Sequence, residues 1–477
     1  MHNSPDWLGL PVEIWLHILA FRSSLPELCR TCSQLLSLAR PIMYSHLVVQ
    51  AERLLRPNEF VADTFALLGE NAELAASVRK LTLNAFSRRE GYFINPGIID
   101  IPSLWNMTRL KSVTIIGDIS RQATRNQIAQ FVQILHGLQL DELRFVAPGS
   151  RAFLLGLQPE QLTLLANAKV IECYMGVDYN DLLAQRLLIL LPAATTTLTS
   201  LSLTAQYLCK GEWALHPLFN LHFPSLRALS LQSTADSQIA CPLKFAAFLS
   251  AHHMTLEDLH LGYTPNSDTR AFAPSGLLFA TELMNPDFLP KLRRFRGHCR
   301  NVEMMALARM KCLGTLEELC IGSGKNDPHT TIEDLTRMFD ALDVLGPLSS
   351  LKHLDFDLFW WKEPEDAFVA SFVRRVAGIC GPGLEVWYGL LPYLGQWPIG
   401  LFEGFTRLRV IRLAVNSSAL AGDAPADRRV ARVEQEVVVR ELAGICPVLE
   451  EVRIGRRNVC WKVDRHRSLG VTVRLVD

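Results

Sequence analysis

Hydrophobic and polar positions along this chain fall into one phrase that keeps returning: an apolar residue, two variable residues, an apolar residue, one variable residue and a third apolar residue. The phrase begins at Val78 (VRKLTL), Leu110 (LKSVTI), Leu140 (LDELRF), Ala168 (AKVIEC), Leu198 (LTSLSL), Leu226 (LRALSL) and Leu256 (LEDLHL). It returns at Leu292 (LRRFRG), Leu316 (LEELCI), Leu351 (LKHLDF), Leu384 (LEVWYG), Leu408 (LRVIRL) and Leu449 (LEEVRI). Of its 39 key positions only Gly297 and Gly389 are not apolar, and successive copies start 24 to 41 residues apart, a recurrence that unrelated strands would not show. The last two apolar positions alternate with polar ones, the period of a strand with one buried face. One strand cannot bury that face alone, but copies stacked about 4.8 Å apart build a continuous core beneath a parallel sheet. Parallel neighbours need a crossover of about a dozen residues or more, often a helix. Helices are therefore expected where Ile332, Leu335, Met338, Phe339 and Leu342 recur, where Phe368, Phe372, Val373 and Val376 recur, and where Val430, Val433, Val437, Leu442 and Ile445 recur. VTVRLV, near the C-terminal end, is expected to form a final strand closing the stack.

The phrases resemble leucine-rich repeats over about residues 78 to 460. The resemblance implies an α/β solenoid with a curved parallel sheet, a fold that serves as a binding scaffold. The common pattern sets an asparagine three residues after the last apolar position, and here Phe86, Asp118, Pro148, Gln206 and Thr264 stand there instead. The repeats are thus irregular.

Residues 8 to 47 do not follow the phrase. Pro11 sits where the first turn of a helix tolerates proline, followed by Ile14, Trp15, Ile18 and Leu19 on one stripe. Leu25-Pro26-Glu27 opens a second run, with Leu28, Cys29, Cys32, Leu35 and Leu36 apolar and Pro41 ending it. So short a piece either caps the first repeat or binds a partner helix. Leu10-Pro11, Glu13-Ile14, Ile18-Leu19, the run from Leu28 to Cys32, and Pro41 with Tyr44 resemble an F-box, although the turn from Arg22 to Leu25 is shorter than that family's. The resemblance implies docking onto the Skp-type adaptor of a cullin–RING ubiquitin ligase through Leu10, Pro11, Ile14, Ile18, Leu19, Leu28 and Pro41. The expected organisation is an all-α F-box-like module over residues 1–50 and an irregular leucine-rich-repeat solenoid over 51–477.

Apolar residues are 49% of the chain and charged residues 20%, which marks a well-packed globular protein. Lys+Arg and Asp+Glu balance at 48 each, so the basic surplus of a general nucleic-acid binder is missing. Eleven scattered cysteines suit reduced thiols and a cytoplasmic or nuclear location, and Met1 to Leu10 lacks the look of a signal peptide. The charge-free run from Leu187 to Cys209 is broken by Pro192 and a Thr/Ser stretch, so no membrane span is expected.

No catalytic, cofactor-binding or metal-binding set is expected. Cys29 and Cys32 form a lone C-x-x-C on an apolar stripe, better read as core. His252-His253 and His298-Cys299 lack further ligands at metal spacing, and the glycines at 322 and 324 before Lys325 do not complete a phosphate-binding loop. What remains is a surface, since side chains flanking the inward pair point to the concave face. Those columns include Glu142/Arg144, Glu172/Tyr174, Tyr388, Arg412 and Glu451/Arg453. The densest charge lies at Asp258, His260, Arg294, Arg296, His298, Glu318, His353, Asp355 and Asp357, with Trp360 and Trp361 beyond, and this is the expected site for a target protein. The resulting expectation is a substrate-recognition subunit of a ubiquitin ligase. Its alternative is a ligase-independent interaction scaffold whose N-terminal helices only cap the array.

Overall fold

The computed structural model describes residues 42, 44–50, 67–84, 101–116, 124–138, 140–146, 157–164, 168–175, 181–205, 216–233, 242–263, 285–322, 331–356, 366–388, 399–413, 425–454, 459–466 and 470–476. Leu10, Pro11, Ile14, Ile18, Leu19, Leu28 and Pro41 lie outside them, as do Cys29, Cys32, Asp357, Trp360, Trp361, Lys325 and the five positions of the missing asparagine ladder. Contacts divide the chain into two compact units, Met1–Leu203 and Thr204–Asp477.

In the first unit the recurring phrases become strands β2 (Lys80–Asn84), β3 (Ser112–Ile116), β4 (Glu142–Val146) and β5 (Val170–Met175), and β6 (Ser200–Ala205) runs across the boundary between the units. Ahead of them runs β1 (His46–Gln50), which pairs with β2 with Leu47 beside Leu81 and Val49 beside Leu83. That register makes Tyr44 the first position of one more copy, hidden from the sequence pattern because its opening residue is an aromatic phenol and not an aliphatic. The sheet therefore starts within the range assigned to the N-terminal module. Strands β1 to β5 are parallel and adjacent in chain order.

The second unit carries β7 (Ala228–Ser233), β8 (Asp258–Tyr263), β9 (Arg294–Gly297), β10 (Glu318–Ile321), β11 (His353–Phe356), β12 (Val386–Tyr388), β13 (Val410–Leu413) and β14 (Glu451–Ile454). These too are parallel neighbours in chain order. The stack closes with β15 (Val459–His466) and β16 (Gly470–Val476), both antiparallel to the strand before. VTVRLV thus forms a strand as expected, but as half of a hairpin whose other half the sequence did not announce. Antiparallel strands need only a short turn, so a hairpin can end the stack without another crossover helix.

Every described apolar residue at the phrase's inward positions is at most 4% exposed, from Val78 to Ile454. Such burial is worth about 1.5–3 kcal/mol for each large side chain. The variation in repeat length is absorbed by the return segments. Long repeats carry the helices Ile332–Leu345, Asp366–Cys380 and Pro425–Ile445, whereas the short step from Leu384 to Leu408 returns through a 3-10 turn, Ile399–Phe402. The first of these helices buries Leu335, Met338, Phe339 and Leu342 as the spacing predicts, with Ile332 left outside, and the second buries Phe372, Val373 and Val376. The third follows its expected stripe only in part, and the side chains of Val430 and Val433 lie outside the described residues. Leu442 is buried, but Val437 is 51% exposed, and the inner stripe runs through Gln435, Val439, Leu442 and Ala443. Gln435 is drawn in because its side-chain oxygen accepts a hydrogen bond from Trp461 Nε1 of β15 at 3.4 Å, a contact outside the helix's own pattern.

One edge of the second unit is held by charge. The residue just before each strand, from β7 to β14, reads Arg227, Glu257, Arg293, Glu317, Lys352, Glu385, Arg409, Glu450, with the sign alternating at every step. Ion pairs join Arg227 to Glu257 (3.7 Å), Arg293 to Glu317 (3.3 Å), Lys352 to Glu317 (3.8 Å) and Arg409 to Glu450 (3.0 Å). Opposite charges on adjacent strands favour this register and penalise any slip. The architecture is that of a leucine-rich-repeat solenoid of mixed α/β class.

Candidate protein-binding face

Because strand side chains alternate, the residues between the buried positions form two outward columns on the sheet of the second unit. The first runs Asp258, Arg294, Glu318, His353, Val386, Val410, Glu451 and the second His260, Arg296, Cys320, Asp355, Tyr388, with Arg412 and Arg453 beyond. Asp258, His260, Arg294, Arg296, Glu318, His353 and Asp355 therefore share one face on four consecutive strands, as the sequence implied. His298 does not. It is 4% exposed and caps the helix Cys299–Leu307, its Nδ1 accepting the Arg300 N–H at 3.2 Å. One residue past the end of β9 the alternation stops, and the side chain turns in to close the helix start.

The charges gathered at Asp258 to Asp355 largely answer one another. Arg294 Nε lies 3.1 Å from Asp258 Oδ2, and His353 Nδ1 lies 3.9 Å from Glu318 Oε1. Burial raises the Asp258 carboxyl above the usual range, against the pull of Arg294. His260 is held differently. Its Nδ1 sits 3.1 Å from Ser230 Oγ and 3.2 Å from Gln232 Nε2. An amide nitrogen only donates, so Nδ1 accepts and the ring proton sits on Nε2, where no described acceptor meets it. Burial, reinforced by the charge of Arg296, pushes this imidazole down to about 3, so it is a neutral donor at physiological pH.

Further along, β11 to β15 present a second group. The rings of His353 and Tyr388 meet edge to face at 5.1 Å, and the Arg453 guanidinium lies 5.9 Å over Tyr388. Glu451, 6% exposed, takes hydrogen bonds from both Arg453 and Lys462. Burial alone would raise its carboxyl, but these two cations outweigh that and lower it. Val386 and Val410 stand side by side in the first column, half-buried, as an apolar floor beside Tyr388.

In the first unit, Glu142 accepts from Ser112 Oγ at 2.7 Å and from Arg144, and Arg144 also reaches Glu172 at 3.5 Å. This face is equally self-paired. A groove of about 330 Å³ opens along the charged edge of the second unit, among Arg293, Glu317, Ser349, Lys352, Glu385 and Arg407. Among the described residues there is no group of three or more metal-ligating side chains, and no helix is long and apolar enough to cross a membrane. His252 is 1% exposed and has both ring nitrogens bonded to backbone, which makes it a core histidine.

No protein-family model matches the chain, and no curated protein does. Solved structures similar to it include a leucine-rich-repeat-containing protein, LegL7, from Legionella pneumophila, at 12% identity, covering 79% of this chain and 96% of that one with a TM-score of 0.34. They also include the complex of Rad7 and Elc1 from yeast, at 12% identity, covering 83% of this chain and 96% of that one with a TM-score of 0.39.

The sequence pattern passed over Val386, Val410 and the pairing state of each arginine. The two valines were legible as outward positions of their phrases. Their being adjacent in one column was not, because adjacency depends on a register set 24 residues apart.

Proposed function

We propose that this chain is a non-enzymatic protein-binding scaffold that acts as the substrate receptor of an SCF-type ubiquitin ligase. Residues 8–47 would hold a Skp-type adaptor, and the outward sheet face of the second unit would hold the target protein. The observation that carries the binding role is the division of labour within each strand. Inward positions are consumed by the core, while the outward columns gather arginine, histidine and tyrosine on adjacent strands, the residue types that anchor interfaces. The ligase role rests on the F-box-like residues Leu10, Pro11, Ile14, Ile18, Leu19, Leu28 and Pro41. This reading places the protein in the cytoplasm or nucleus, where that adaptor works.

The ligase-independent scaffold is the second reading. It draws support from β1, which begins at His46 and pairs with β2, so the chain enters the sheet directly after the N-terminal segment. Co-expression of the full chain with a Skp-type adaptor separates the two. Changing Ile14 and Ile18 to Asp should abolish co-purification, because two charges buried without partners cost several kcal/mol. Absence of adaptor binding by the wild-type chain would leave the scaffold reading alone. The Arg294→Glu, Arg296→Glu variant should keep the adaptor and lose target capture.

A further inference from the structure

Among the described residues, the outward face of the second unit holds one cation that its neighbours do not answer. Arg412 is half-buried on β13, yet its side chain makes no hydrogen bond or ion pair with any described residue. Directly beside it in the sheet stands Arg453, so two guanidinium groups are held in register on adjacent strands. Like charges so placed are destabilising, and a half-buried unpaired charge adds to that cost. Arg453 is neutralised by Glu451 and leans over Tyr388; Arg412 has neither support. Beside this pair lies the only stretch of the first column, between β8 and β14, where two successive strands present aliphatic side chains outward, Val386 and Val410.

We propose that Arg412 anchors a side-chain carboxylate of a partner segment whose neighbouring apolar residue rests on Val386 and Val410, with Tyr388 as the wall. This deepens the proposed function and rests on its target-binding half. The guanidinium fork suits a carboxylate held by two parallel N–H bonds. A phosphate dianion fits less well, since Arg453 and Lys462 are both engaged by Glu451, which leaves Arg412 alone to meet a double charge. The group also has the anatomy of a binding hot spot: an arginine and an aromatic around a small apolar centre.

The test uses the full chain and pools of short, end-blocked peptides built around a fixed Leu-Glu, Leu-Gln, Leu-Lys or Leu-phosphoserine pair. The Leu-Glu pool should be selected, and its best members should bind Arg412→Gln about tenfold more weakly or worse. Arg412→Glu should transfer the preference to the Leu-Lys pool, an exchange that a merely structural arginine would not produce. Arg474→Gln, which removes a cation paired with Asp464 on the closing hairpin, should change nothing. Removing the like charge should also leave the melting temperature equal or slightly higher. No selection of the Leu-Glu pool, selection unaltered in both Arg412 variants, or preference for the phosphoserine pool would each overturn the proposal. Peptides lost in Arg294→Glu, Arg296→Glu but retained in the Arg412 variants would overturn it while sparing the target-binding reading. Selection as expected, without adaptor co-purification, would support it and refute the ligase role instead.

Discussion

Asp334 is the residue through which one charge both caps its own helix, Ile332–Leu345, and ties it to the helix Cys299–Leu307, and its replacement by asparagine isolates that charge. The carboxylate is 2% exposed at the third position of the helix Ile332–Leu345. Its Oδ2 accepts from Thr331 N–H at 3.1 Å and Thr331 Oγ1 at 2.8 Å, while Oδ1 accepts from Arg300 Nε at 3.2 Å and from Arg337. Asparagine keeps the shape but turns an NH₂ toward one of these donor pairs. The capping half is worth about 1 kcal/mol, as Thr331→Ala would show by itself. Losing charge-assisted bonds from a buried site raises the total, and the partial exposure of Arg300 and Arg337 lets them rehydrate, so Asp334→Asn should cost about 2–4 kcal/mol. Burial works to raise the carboxyl, but the Thr331 and Arg300 contacts prevail and lower it. Its folded value therefore lies below the unfolded one. The stabilisation is complete above the unfolded value of 3.8 and is lost as pH falls through the lowered folded value, so wild type and variant should converge in acid. Urea unfolding at pH 7 and at a series of lower pH values measures both effects. A variant as stable as wild type, or no less stable than Thr331→Ala, would refute the reasoning.

Two further outcomes follow from the same geometry. Glu317→Lys puts three cations in a row with Arg293 and Lys352, and should cost about 1–2 kcal/mol at low salt, since exposed pairs contribute about 0.2–1 kcal/mol each and like charges cost a similar amount; high salt should erase most of this in urea titrations, and a salt-independent loss would mean that the alternating edge does not act through charge. His252 Nδ1–H donates to Phe248 O at 2.6 Å and Nε2 accepts from Phe223 N–H at 2.8 Å, and burial lowers its affinity for a proton. Its contribution is therefore whole above the ordinary value of 6.5 and fades as pH falls through the folded value, at up to about 1.4 kcal/mol per unit. His252→Leu should be less stable at pH 8 and show a flatter acid limb, and thermal melts with an unchanged slope would exclude this role.

The strands and their inward residues were legible because the information is local. An apolar residue at every second position marks a strand with one buried face wherever it stands, and repetition places neighbouring strands side by side without any knowledge of distant contacts. The limit of that logic appears at Tyr44, where an aromatic opening position hid one copy, and at Val437, which helical spacing set on the inner stripe and which the structure leaves exposed. In that helix the hydrogen bond from Trp461 to Gln435 helps decide which side faces in, and Trp461 belongs to a strand the phrase does not cover.

The candidate face divides along the same line. Sequence alone determined that Asp258, His260, Arg294, Arg296, Glu318, His353 and Asp355 point outward, since alternation within a strand is a property of each strand by itself. Only the tertiary structure decided what those charges do. It paired Arg294 with Asp258, turned His298 inward as a helix cap and, among the described residues, withheld an acceptor from His260 Nε2 and left Arg412 beside Arg453 without a counter-charge. The physical reason is that an ion pair or an orphaned donor is defined by its neighbour across the sheet. Here that neighbour is 24 to 41 residues away, at a distance the folded register alone sets.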